Sequence, residues 1–199
     1  MNVAAPKRPY TMRARAEAAQ RLSERLTDAA VALWLERSYD EITLQQVADR
    51  AGVSLSTVVR RFGSKEGMLE AIVAAFGTQE VALRESVATG DVEAAVHELV
   101  AAYERGGDAV IRNIALEERV PAMAAWVQRG RRRHREWVAR VFAEWLPARD
   151  DRDYRRRRSQ FIVATDLYTW KILRRDQGLS RRQTELAMRE LIEALVQGA

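Results

Sequence analysis

Three observations predict an all-α protein of about nine helices. Apolar residues recur at helical spacing over most of the chain. No stretch shows the convincing apolar/polar alternation of a strand. Only 4 prolines and 10 glycines occur in 199 residues, and most stand between periodic segments. This length allows one large domain or two small ones, and 47% hydrophobic residues are ample for a core.

Residues 1–10 carry two of the prolines and read as a flexible arm. The first helix is expected over about residues 12–37, with Leu22, Leu26, Ala29, Ala30 and Leu33 along one face. Thr43 begins a short second helix with Val47, Ala48 and Ala51 inward, and Gly52 stops it. Ser54 begins a third short helix that ends near Phe62. Ser64 can N-cap a fourth, which buries Met68, Leu69, Ile72, Val73 and Phe76. Residues 90–107 and 108–120 read as two helices, the first bracketed by glycines and the second stopped by Pro121. Another runs from residue 122 to about 146, before Pro147. Residues 150–178 read as one helix ending at Gly178, and residues 180–197 as the last, with Ser180 as N-cap. The boundary between a small N-terminal unit, residues 1–66, and a larger one, residues 67–199, falls in the fourth helix. Neither an internal repeat nor a low-complexity segment is present.

Composition excludes several classes. No apolar run approaches the roughly 20 residues that a membrane span needs. The N-terminus lacks the apolar core of a secretory signal. With 0 cysteines there are no disulfides or thiolate-bound metals, which fits a cytoplasmic protein. The formal charge of +5 hints at an anionic partner, but weakly. Residues 1–70 carry 11 Lys+Arg against 9 Asp+Glu, and residues 71–199 carry 22 against 19, so the excess is spread thinly.

The stretch TLQQVADRAGVSLSTVVRRF, residues 43–62, fits two short helices joined at a steep angle. Ala48 allows close approach, Gly52 can take the positive φ of the turn, and Val53 and Val58 can fill the angle. Alone, this pattern fits an ordinary corner of a helical bundle equally well. Its surroundings decide the reading. A long helix precedes it, and Phe62-Gly63-Ser64-Lys65-Glu66 follows. Residues 42–69, ITLQQVADRAGVSLSTVVRRFGSKEGML, resemble the TetR family of bacterial transcriptional repressors nearly position by position. The remaining two thirds match only in length and helical content.

The resemblance implies a helix-turn-helix whose third helix enters the major groove with its N-terminal residues on base edges. Ser54, Leu55, Ser56 and Thr57 lie there. Ser56 and Thr57 can meet bases or phosphates, and Leu55 can touch a thymine methyl. Arg60 or Arg61 can grip guanine or hold a phosphate. Thr43, at a helix N-terminus, and Lys65 suit phosphates. Lys7, Arg8, Arg13 and Arg15 either reach the minor groove or form a solubilising tail. Two positions depart from family habit: Leu55 often has a lysine or polar counterpart, and Val59 a phosphate-touching tyrosine.

The family resemblance also implies a homodimer and an effector pocket among the middle helices. FIVATDLYTWKIL, residues 161–173, is apolar nearly all round and can pair with the last helix to build a four-helix dimer bundle. Phe161, Thr165, Tyr168, Ile172, Leu191 and Leu195 are the expected interface. Asp166, inside that apolar run, is expected to form an ion pair or hydrogen bond. Tyr103, Asn113, Glu117, Trp126, Trp137, Phe142, Trp145 and Trp170 are candidates to line a pocket for a lipophilic or aromatic effector. Asp151 with Arg155 and Asp153 with Arg157 read as surface pairs at i,i+4. The arginines of residues 129–137 read as a solvated face.

No enzyme signature is present. His97 and His134 fall on different helices without ligands at metal spacing, and there is neither a phosphate loop nor a nucleophile elbow. No cofactor is expected. The sequence therefore reads as a cytoplasmic, ligand-responsive repressor that binds a palindromic DNA operator as a homodimer. An activator, a regulator without a small-molecule inducer, and a helical bundle that binds no DNA are the alternatives.

Overall fold

The computed structural model describes residues 10–198. Among the described residues the chain forms nine α-helices: α1 (Tyr10–Glu36), α2 (Leu44–Ala51), α3 (Leu55–Phe62), α4 (Lys65–Ser86), α5 (Val92–Ile114), α6 (Pro121–Val141), α7 (Tyr154–Thr165), α8 (Leu167–Lys171) and α9 (Arg181–Gln197). The arm carrying Lys7 and Arg8 lies outside the described residues. No helix among them is long and apolar enough to cross a membrane.

The chain divides into two compact units, one of residues up to 37 with 41–76, the other of residues 38–40 with those from 77 onward. In the first, Leu26, Ala30 and Leu33 of α1 meet Ile42, Val47, Ala48, Val58, Met68 and Ile72 in a core from which water is excluded. Trp34 packs on Phe76 with ring centroids 5.3 Å apart. The turn after α2 requires Gly52, whose φ of 64° is the left-handed conformation that side chains resist. Its amide closes α2 on the Ala48 and Asp49 carbonyls.

In the second unit α5 is central and packs against α6, α8 and α9. Leu99, Tyr103, Val138, Phe142, Phe161, Trp170, Met188 and Ile192 belong to one buried cluster. The two helices expected over residues 90–120 are one. α5 passes straight through Gly106 and Gly107. Gly107 is a packing notch: a Cβ there would meet Trp170 at 2.7 Å. The glycine pair looks like a helix end in sequence, yet it admits an indole in space.

The single helix expected over residues 150–178 is instead broken. Asp166 takes an extended conformation, φ −74° and ψ 151°, and its carboxylate accepts the Tyr168 amide at 2.8 Å. It is a helix cap, and no ion pair or cross-chain contact is needed to account for it. The expected pairs of Asp151 with Arg155 and Asp153 with Arg157 do not form either. α7 begins only at Tyr154, so both aspartates precede it. Asp151 accepts the Asp153 amide at 2.6 Å, and Asp153 pairs with Arg156 at 3.4 Å. Arg157 is buried over the Phe161 ring and donates to the carbonyls of Trp145 and Leu195. α6 ends at Val141, short of residue 146, and Ala143–Trp145 form a 3-10 turn.

Candidate nucleic-acid interface

α3 is short and strongly two-sided. Val58 and Phe62 face the core, while Leu55, Ser56, Val59 and Arg60 face out. Those four positions share one side of a helix. Leu55 and Val59 are 41% and 42% exposed, an apolar pair one turn apart. At the start of α3 three hydroxyls converge: Ser54 Oγ lies 2.9 Å from Ser56 Oγ and 3.0 Å from Thr57 Oγ1. Ser54 makes no side-chain cap to the helix, so its hydroxyl serves this cluster instead.

The two arginines separate. Arg61 donates from Nε to Ser23 Oγ of α1 at 2.7 Å and lies 5.2 Å from the Phe62 ring centroid. Arg60 is exposed on the outer face with Leu55 and Ser56, and no hydrogen bond or ion pair to a described residue holds it.

Neighbouring contacts fix the frame. Thr43 forms a capping box: its hydroxyl accepts the Gln46 amide at 3.2 Å, and its own amide donates to Gln46 Oε1 at 2.8 Å. The Thr43 amide expected to meet a phosphate is therefore engaged. Arg50 of α2 grips Glu36 of α1 bidentately, at 2.9 and 2.7 Å, which holds the Glu36 carboxyl below its ordinary range. Ser64 caps α4 through the Gly67 amide at 3.2 Å, and its hydrogen bond to Glu66 holds that carboxyl low. Lys65 is the first residue of α4 and half-buried. Arg13 pairs with Glu17 at 3.1 Å along α1.

The candidate pocket residues of the second unit fall into two groups. Tyr103, Trp137, Phe142 and Trp170 belong to the buried cluster, with Trp145 packed against it. Their polar atoms are used: Tyr103 donates to Thr165 O at 2.9 Å, Trp137 to Arg84 O at 3.1 Å and Trp170 to Glu104 at 3.0 Å. Asn113, Glu117 and Trp126 lie elsewhere. Asn113 is buried, accepts the Tyr39 amide at 2.8 Å and donates to Ala109 O at 2.9 Å. Glu117 holds Arg131 at 2.6 Å, and Trp126 is half-buried on α6.

The candidate interface residues also divide. Tyr168, Ile172 and Leu191 are exposed, together with Val163 and Leu186, on α7, α8, α9 and the turn between the last two. Leu195 is half-buried. Phe161 and Thr165 are fully buried in the unit's own core and face no partner.

His134 of α6 was not distinguished in sequence from an ordinary surface histidine. Its Nδ1 lies 3.5 Å from Arg84 Nη1, and its Nε2 3.0 Å from Thr165 Oγ1. Arginine only donates, so Nδ1 accepts and Nε2 carries the proton. Burial and the neighbouring Arg84 push this imidazole down to about 3, so it is neutral. Its only early signal is its place, three residues before Trp137, on the inner face of α6. No group of three or more His, Cys, Asp or Glu among the described residues could hold a metal.

Among the described residues the chain is a two-unit helical protein in which one face of the short helix α3 is exposed. Residues 26–72 match the family model described as bacterial regulatory proteins of the tetR family. The chain is 35% identical over 51 residues to the uncharacterized HTH-type transcriptional regulator YvkB of Bacillus subtilis (strain 168), a stretch covering 26% of this chain and 27% of YvkB. A transcriptional regulator of Rhodococcus sp. Rha1 shares the fold at a TM-score of 0.69 and 18% identity, covering 89% of this chain and 97% of that one. The flavonoid-responsive regulator FrrA does so at 0.59 and 20%, covering 90% and 97%. Residues 26–72 are thus similar to the N-terminal domain of the TetR family of bacterial regulatory proteins, and the whole chain shares the fold of these regulators.

Proposed function

We propose that the protein is a transcriptional repressor that binds a palindromic DNA operator as a homodimer and releases it when a small molecule binds the second unit. The carrying observation is the outer face of α3. It sets Ser56, the apolar pair Leu55 and Val59, and Arg60 on one side of a helix braced by Arg61, with the hydroxyls of Ser54 and Thr57 at its start. Such a helix suits the major groove, where arginine recognises guanine and an aliphatic side chain recognises a thymine methyl. The helix dipole and remaining free amides at the start of α2 suit a phosphate. Lys65 is assigned to another phosphate.

The second copy is assigned to the exposed apolar side chains Val163, Tyr168, Ile172, Leu186 and Leu191, all carried by α7, α8, α9 and the turn before α9. A lipophilic effector acting through Tyr103, Trp137, Phe142, Trp145 and Trp170 must open a packed aromatic cluster on entry.

The test is fluorescence anisotropy with a palindrome from the protein's own upstream region. The reading expects tight, salt-sensitive binding of a dimer, which a lipophilic compound reverses. Equal affinity for the palindrome and for scrambled DNA would remove the operator claim.

A further inference from the structure

α6 presents Arg132, Glu136 and Arg140 at successive i,i+4 positions, so they form one stripe along the helix. Arg135 flanks it. Arg149, from the α6–α7 connection, and Arg158 of α7 complete a cleft of about 480 Å³. Ala139, small and part of the same lining, leaves room in it. Five guanidiniums thus surround one carboxylate.

Elsewhere in the unit several arginines find acids. Arg131 meets Glu117 at 2.6 Å, Arg174 meets Glu104 at 2.8 Å, and Arg175 meets Asp108 at 2.9 Å. Arg132, Arg135, Arg149 and Arg158 form no ion pair with a carboxylate among the described residues. The Arg158 guanidinium lies 5.3 Å from the Tyr154 ring centroid, and its Nε is buried without an acceptor. Arg140 is fixed differently, donating to the carbonyls of Val87 and Arg84 at 2.7 Å each. Arg140 is thereby tied to the end of α4.

Like charges converging in a concavity repel, and an anion relieves that repulsion. The planar fork of arginine offers paired donors to phosphate or carboxylate oxygens. A single small anion can engage only one or two forks. We propose that this cleft binds a small polyanion carrying two or more phosphate or carboxylate groups. The site is distinct from the aromatic cluster, and it does not depend on the DNA-binding reading.

The test is isothermal titration calorimetry on the full chain in buffer of physiological ionic strength, without DNA. The probes are tripolyphosphate and citrate, with orthophosphate and acetate as singly grouped controls. The expected result is one site per chain for tripolyphosphate or citrate, with the controls at least tenfold weaker. Arg132→Gln with Arg149→Gln weakens binding at least tenfold without lowering the melting temperature of the free protein. Arg149→Gln alone serves if the double variant does not fold. Glu136→Gln strengthens binding, a gain that damage to the fold cannot imitate. No binding of either polyanion at millimolar concentration overturns the proposal. So does equal affinity in wild type and arginine variants, or binding there of a nucleic-acid fragment while both small polyanions fail.

Discussion

Arg61 donates its Nε proton to Ser23 Oγ at 2.7 Å, so the second of two adjacent arginines on α3 is a brace between α3 and α1. Arg60, one position earlier, is on the outer face. The account therefore predicts a division of labour. Arg60→Ala should cost about 1–3 kcal/mol of operator binding, roughly tenfold or more, and leave the melting temperature nearly unchanged. Arg61→Ala should lower stability by about 1 kcal/mol, and Ser23→Ala should reproduce much of that loss. Anisotropy and thermal denaturation of the three variants check this. A larger affinity loss for Arg61→Ala at unchanged stability would reverse the roles.

Leu55 and Val59 are an exposed apolar pair on the same face. If they meet a thymine methyl, replacing the contacted thymine by uracil in the operator should weaken wild-type binding several-fold. Leu55→Ala should weaken binding to the thymine operator and make it insensitive to the uracil exchange. A uracil scan of a selected operator, read by anisotropy, checks this. Equal sensitivity in wild type and Leu55→Ala would remove the methyl contact.

The α2–α3 corner was legible in sequence because its chemistry is local. A capping threonine, a glycine at positive φ and the spacing of Val47, Ala48, Val58 and Phe62 each act within a few residues. The separate duties of Arg60 and Arg61 were not legible, because Ser23 is distant in sequence. The same distinction explains the second unit. Gly106-Gly107 resembled a helix end because local propensity opposes glycine in helices, but Trp170 packs there. Asp166 was hidden inside an apolar run whose average suggested one helix, though a short carboxylate can cap as readily as pair. Phe161 and Thr165 were as apolar or small as an interface requires, and only packing shows which way they point.

Gly107→Ala places a methyl 2.7 Å from Trp170, against a buried indole. Overpacking of this kind should cost about 1–3 kcal/mol. Chemical denaturation measures it. An unchanged midpoint would mean that α5 and α8 can separate freely at this point.

His134 is buried and neutral, held down to about 3 in the fold. Unfolded, it titrates near its ordinary value, so between these pH values the unfolded chain binds the extra proton. Stability therefore falls as pH drops below the ordinary histidine range, by about 2 kcal/mol at pH 5 relative to pH 7 from this residue alone. His134→Gln, which keeps a donor for Thr165, should flatten that part of the profile. Denaturation midpoints of both proteins at several pH values check the difference. Parallel curves would show that the imidazole is free to protonate in place.

Tyr168, Ile172 and Leu191 are exposed apolar side chains that a second copy would cover. Leu191→Glu with Tyr168→Glu should shift the protein from dimer to monomer in light scattering. Operator affinity should fall with it, because two half-sites are no longer read together. A dimer that survives both charges would place the interface elsewhere.

The most direct measurement is operator affinity as a function of salt for wild type and Arg60→Ala, on a palindrome selected by the protein from random DNA. The account predicts a selected palindrome, steep loss of affinity with salt, and at least tenfold weaker binding by Arg60→Ala with its fold intact. Failure to select any sequence, or identical affinity and salt slope in the two proteins, would contradict the claim that α3 reads DNA.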